Sequence, residues 1–238
     1  MDTLDDFLMS RPVTAARPLL GLTVLVVEDS RFASEAMRLL CLRSGARIRR
    51  ADSLFHARRH LRVYRPGAVI VDLGLPDGPG ADLIAELTQA SPRVDVILGM
   101  SGDPDAEAIA MAAGADGFLA KPIVRLAEFQ AAMLAHLPAD RQPPGPRLLS
   151  DDRIEPDRLA FRDDLAQAAN VLTGADEGQV VDYLTQFLGG VARSAGDASL
   201  SAAVTAVAAT RAAGRPLRPD IARLAAIVQL RLAAVAPI

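Results

Sequence analysis

Acidic side chains follow two of the short apolar runs in this 238-residue sequence, and its single lysine follows another. Glu28 and Asp29 come directly after Val24-Leu25-Val26-Val27, and Asp72 closes Val69-Ile70-Val71. Ser101 ends a fourth run, and Lys121 follows Phe118-Leu119-Ala120. Carboxylates gathered at one edge repel one another unless a cation lies among them. Hard oxygen donors with open positions suit Mg²⁺, which keeps waters and accepts a phosphoryl oxygen. The Ser101 hydroxyl and the Lys121 ammonium add two groups able to hold an anion. All other basic side chains among the 26 Lys and Arg residues are arginine. An ammonium is a compact point charge, whereas a guanidinium is a broad planar fork. The residue types therefore fit chemistry on a phosphoryl group held between a cation site and one amine.

Such a site needs a scaffold that brings distant strand ends together. The apolar runs at 23–27, 46–51, 68–71, 94–100 and 117–120 predict strands, the second being the weakest. Helical periodicity predicts helices over 32–43, 54–64, 81–90, 106–113 and 125–137. Strands alternating with helices predict a parallel sheet covered on both faces. Continuous Val/Ile/Leu in the first and third strands fits full burial. In an open parallel sheet, ligands gather at the carboxyl ends of the strands, where these polar residues fall.

The four separated motifs, in this order, resemble the receiver domain of two-component response regulators, over about residues 22–137. The resemblance implies a flavodoxin-like fold with a five-stranded parallel sheet. It implies that Glu28 and Asp29 bind Mg²⁺ with Asp72 and the backbone carbonyl of Gly74. It makes Asp72 the phosphoacceptor, assisted by Lys121 and Ser101, with Ser101 and Phe118 as switch residues. It also implies a sensor histidine kinase or phosphotransfer protein as phosphodonor, and a Lys-Pro peptide bond that is commonly cis. Glu28 stands where Asp is more frequent, Ser101 where Thr is common, Gly102 where Ala is common, and Phe118 where many members carry Tyr. None of these changes removes a required group.

Simpler readings exist for each residue. Glu28 or Asp29 could cap a helix. Ser101 could be a turn residue, and Phe118 a core aromatic. Asp77 and Asp103 read as loop or cap residues. His56 and His60 lie four apart on an Arg-rich helix and read as a solvated face.

The rest of the chain divides by composition. Residues 1–21 form an N-terminal extension in which Leu4, Phe7 and Leu8 could share a helical face. Pro-rich residues 138–156 read as a linker. Residues 157–238 read as an all-α bundle with helices over 158–172, 177–193, 200–211 and 218–235, broken at Gly174, Gly196 and Gly214. Leu217, Ile221, Leu224, Val228, Leu230 and Val235 are expected along one side of the last helix. From Asp151 onward nine Arg face eleven acids, and there is no His. That balance offers no basic stripe for nucleic acid and no phosphorylatable His. A homodimer through the helical module is the expected further partner, and nucleic acid is not expected. One cysteine, Cys41, excludes an intrachain disulfide framework. No apolar stretch is long enough to span a membrane, and the acidic N-terminus is unlike a signal peptide. The expectation is a cytoplasmic, non-enzymatic, phosphorylation-dependent regulator of bacterial two-component type. The alternative is a DNA-binding transcription regulator with an atypical C-terminal domain.

Overall fold

A computed structural model describes residues 13–103, 105–145, 150–172 and 178–234. The expectations for Leu4, Phe7, Leu8, Gly174 and Val235 lie outside these residues. The chain divides into two compact units. One comprises the segment up to Asp29 and Ala36–Glu155, and the other comprises Ser30–Glu35 and the segment from Pro156 onward.

The first unit holds a parallel sheet of β1 (Thr23–Val27), β2 (Arg47–Ala51), β3 (Ala68–Asp72), β4 (Val96–Ser101) and β5 (Gly117–Ala120). The strand order is β2-β1-β3-β4-β5. Helices α1 (Arg31–Ser44, of which Ala36–Ser44 belong to this unit), α2 (Leu54–Val63), α3 (Gly80–Gln89), α4 (Ala106–Ala112) and α5 (Leu126–His136) connect or follow the strands. Period-two alternation sorts the strand residues between two cores. Val24, Val26, Ile70, Leu98 and Met100 join Met37 and Leu40 of α1 and Phe129 and Met133 of α5. Leu25, Val27, Val69, Val71 and Ile97 join Leu54 of α2, Ile84 of α3 and Ala110 of α4. β2 had the weakest sequence signal because it is an edge strand, with Arg47, Arg49 and Arg50 facing water.

This unit reaches beyond the segment that carries the resemblance. Leu19 is buried in the core of the α1/α5 face, and its N–H donates to the Ser44 carbonyl at 2.9 Å. At the other end, Arg153 and Ile154, within the stretch expected as a linker, pack on this unit. Arg153 bridges Arg125 in antiparallel fashion, Ile154 N–H donates to the Val124 carbonyl at 2.9 Å, and the Ile154 side chain enters the same core. One buried isoleucine gives this segment its place; prolines upstream mask it in the sequence.

The second unit contains α6 (Arg158–Leu172), α7 (Gly178–Ala195), α8 (Ala198–Ala212) and α9 (Arg218–Ala234). Leu165, Leu184, Phe187, Leu188, Val204, Val207, Leu224 and Val228 form its apolar core. Leu230, expected on the inward side of α9, is 62% exposed. It lies two residues from Val228, a spacing that cannot share a helix face. Between α7 and α8, Gly196 takes a φ of +67°, and Asp197 caps α8 by accepting from Leu200 N–H at 3.0 Å. Asp197 also receives both Nε and Nη2 of Arg231 on α9, at 2.6 and 3.1 Å. Among the described residues, no helix is long and apolar enough to cross a membrane.

Two outcomes follow. Cys41 is fully buried, and that burial pushes its thiol up to about 12. A maleimide should label Cys41 only after denaturant is added, read by intact mass. Asp197→Ala removes a helix cap and an ion-pair partner, so urea unfolding of the helical unit should show a loss of about 1–2 kcal/mol.

Candidate functional site

The strand order places the ends of β1 and β3 side by side, with β4 and β5 following. Glu28 is the first residue past β1, and its N–H extends the ladder to the Ala51 carbonyl at 2.8 Å. Asp72 is the last residue of β3 and pairs with Met100 of β4. Carboxylate oxygens of Glu28, Asp29 and Asp72 all lie within 4.8 Å of one another. Lys121 follows β5, anchored by its N–H to the Ser101 carbonyl at 2.8 Å. Its Nζ lies 2.6 Å from Glu28 Oε2 and 3.2 Å from Asp72 Oδ2. The Lys121-Pro122 peptide bond is cis.

All of these side chains are buried, so their charges interact through a poorly screening medium. Burial drives the Glu28 carboxyl well above the ordinary carboxylate range, and Asp72 and Asp29 push the same way against the opposing pull of Lys121. Burial alone would depress the Lys121 ammonium, but Asp72 and Glu28 outweigh it and hold that group above its ordinary value. One ammonium therefore faces three carboxyls. Their donors are hard oxygens at a separation that a single divalent cation can bridge, so the residues present fit such an ion. Among the described residues, no other group of three or more His, Cys, Asp or Glu side chains converges in this way.

Two glycines that sequence reasoning passed over shape the site. A Cβ on Gly80 would fall 2.0 Å from the Asp72 carbonyl oxygen. The start of α3 can lie against the end of β3 only because that position has no side chain. Gly80 N–H also donates to the Leu73 carbonyl at 3.1 Å. Gly99 of β4 pairs with Phe118 of β5. A Cβ on Gly99 would meet Ala110 Cβ at 2.5 Å and Phe118 Cδ2 at 3.3 Å. The Phe118 ring is half-buried and packs on the core shared with α3 and α4. Ser101 is buried one residue past Met100, and its Oγ accepts from Asp103 N–H at 3.1 Å. Gly74 lies in a two-residue antiparallel pairing with Pro79.

The capping alternatives also resolve. Ser30 Oγ accepts from Ala33 N–H at 3.0 Å, so it takes the capping role open to Asp29 in the sequence. Asp77 caps α2 from a distance, accepting from Leu54 and Phe55 N–H at 2.9 and 2.8 Å. His56 pairs with Asp52 at 2.5 Å, and the His60 ring meets Tyr64 edge-on.

Residues 24–133 match the response regulator receiver domain family. This segment is a receiver domain. The KDP operon transcriptional regulatory protein KdpE of Escherichia coli is 33% identical over 110 residues, covering 46% of this chain and 48% of that protein. The transcriptional regulatory protein KdpE of Mycobacterium tuberculosis is 31% identical over 153 residues, 64% of this chain and 65% of that one. The chain thus spans about half the length of the first curated relatives it matches. The receiver domain of sensor histidine kinase PA1611 from Pseudomonas aeruginosa, solved with magnesium in its active-site cleft, aligns at 23% identity and TM-score 0.44. It covers 49% of this chain and 97% of that one.

Removing Lys121 from the receiver site leaves buried carboxylates without their counter-charge. Lys121→Met should lower the stability of the metal-free protein by about 3 kcal/mol in urea unfolding. Adding Glu28→Gln should recover part of that loss, because the two groups are directly coupled.

Proposed function

We propose that this chain is a phosphorylation-controlled response regulator in which Asp72 is the phosphoacceptor. The observation that carries the reading is the buried convergence of Glu28, Asp29 and Asp72 against Lys121 at the carboxyl edge of the sheet. Mg²⁺ held by Glu28, Asp29, Asp72 and the Gly74 carbonyl would supply charge neutralisation for the transferring phosphoryl group. An Asp72 carboxylate oxygen attacks phosphorus in line. The bond from phosphorus to the donor's histidine nitrogen breaks as the new P–O bond forms, and the imidazole leaves. Lys121 moves its ammonium from carboxylate to phosphoryl oxygen, and the Ser101 hydroxyl donates to another. Phe118 then turns into the space Ser101 vacates.

The acyl phosphate carries about −2 charge, which shifts the receiver between two populations. The helical unit reads that shift through its own surface, as a partner-binding or homodimerising module. The donor is a sensor histidine kinase or phosphotransfer protein, the setting is the cytoplasm, and the output is not itself an enzyme.

A second reading is DNA-binding transcriptional control, favoured by one observation. The curated relatives described above are named transcriptional regulatory proteins, and one alignment runs over 153 residues. The excess of acids over arginines beyond Asp151 weighs against it. A gel shift on genomic fragments across a salt series separates the two.

Incubation with acetyl phosphate and Mg²⁺ should place one phosphoryl group on Asp72, located by mass spectrometry after borohydride trapping. Asp72→Asn should take up none, and labelling that persists there contradicts the assignment. Lys121→Arg should keep phosphorylation measurable yet weaken the conformational response, because the planar fork does not fit a site built for an ammonium.

A further inference from the structure

The first turn of α1 is held by a carboxylate distant in sequence. Ser30–Glu35 belong to the same compact unit as the residues from Pro156 onward. Within that unit, Asp164 of α6 has no exposed surface. Its Oδ1 accepts from Arg31 N–H at 2.7 Å, and its Oδ2 accepts from Phe32 N–H at 3.0 Å and from Ser30 Oγ at 2.7 Å. The Ser30 hydroxyl in turn accepts from Ala33 N–H. The free N–H groups that open a helix are thus satisfied by one serine and one buried aspartate. Phe161, one turn earlier on α6, meets the Phe32 ring edge-on at 5.6 Å. The neighbouring Arg31–Asp163 pair at 2.6 Å is exposed and contributes little.

Ser30 directly follows Glu28-Asp29 in the chain. The backbone that Asp164 grips is therefore the backbone that sets where those acids point. A ligand carboxylate displaced by even a fraction of an ångström loses metal affinity, which is why partners of metal ligands matter almost as much as the ligands. We infer that Asp164 is a positioning residue for the Glu28/Asp29 cation site, and that through it α6 senses whether that site is filled. This rests on the reading of Glu28, Asp29 and Asp72 as the cation site. Coupling is reciprocal: if Asp164 strengthens cation binding, the cation must tighten the Asp164 contact by the same factor.

The test uses the full chain, Mn²⁺ as the cation, calorimetric titration, and amide hydrogen exchange. Wild type should bind one Mn²⁺ and Asp72→Asn should bind it far more weakly. Asp164→Ala should weaken Mn²⁺ binding about tenfold and speed exchange at Arg31 and Phe32. Asp164→Asn, which keeps an acceptor oxygen, should fall between. Mn²⁺ should slow exchange across Arg158–Leu172 in wild type and leave it unchanged in Asp164→Ala, a response that a purely structural aspartate would not give. If Asp164→Ala unfolds, Ser30→Ala, which deletes one hydrogen bond to Asp164 together with the cap on Ala33 N–H, should still weaken Mn²⁺ binding severalfold. Wild-type affinity in folded Asp164→Ala or in Ser30→Ala overturns the inference while leaving the site intact. Absence of Mn²⁺ binding in wild type overturns the site reading and this inference with it.

Discussion

A single buried ammonium facing three buried carboxyls is the constraint around which the first unit is organised. Lys121 reaches Glu28 and Asp72 at ion-pair distance, and Asp29 completes an acidic cluster that one amine cannot neutralise. Burial makes each of these charges costly on its own. The arrangement persists because strand ends fixed by the sheet leave the groups nowhere else to go. The charge balance at this rim favours an added cation.

The sheet supplies the geometry and the glycines supply the clearances. Pairing of β1 with β3 sets Glu28 beside Asp72, and pairing of β4 with β5 delivers Lys121. Gly80 lets the backbone after Asp72 fold back to within van der Waals contact of its carbonyl. Gly99 gives the Phe118 ring and Ala110 room against the strand. These positions carry no charge and do no chemistry, yet each bears directly on where a functional side chain can stand.

Much of this was legible in the sequence, for physical reasons. Continuous Val/Ile runs marked the buried strands, and the acids, serine and lysine at their ends marked the rim. The edge strand β2 was harder to see because its outward arginines break the apolar signal. The role of Ile154 was hidden behind prolines, since one buried side chain in a polar segment carries no periodicity. On α9 the buried stripe is narrower than the apolar residues suggest: Leu230 faces water while Val228, two residues earlier, is buried. Asp164 was one acid among eleven in its half, and only its three short hydrogen bonds distinguish it. Contacts between residues more than a hundred apart leave no local trace.

The central claim, that the acidic rim is held in tension until a divalent cation joins it, is tested most directly by thermal unfolding at constant ionic strength with increasing Mg²⁺. The account predicts a saturable rise in the Tm of the receiver transition, following the mass-action form for a ligand that binds only the folded state. A Tm that Mg²⁺ leaves unmoved, or moves no more than an equivalent amount of NaCl, would contradict it.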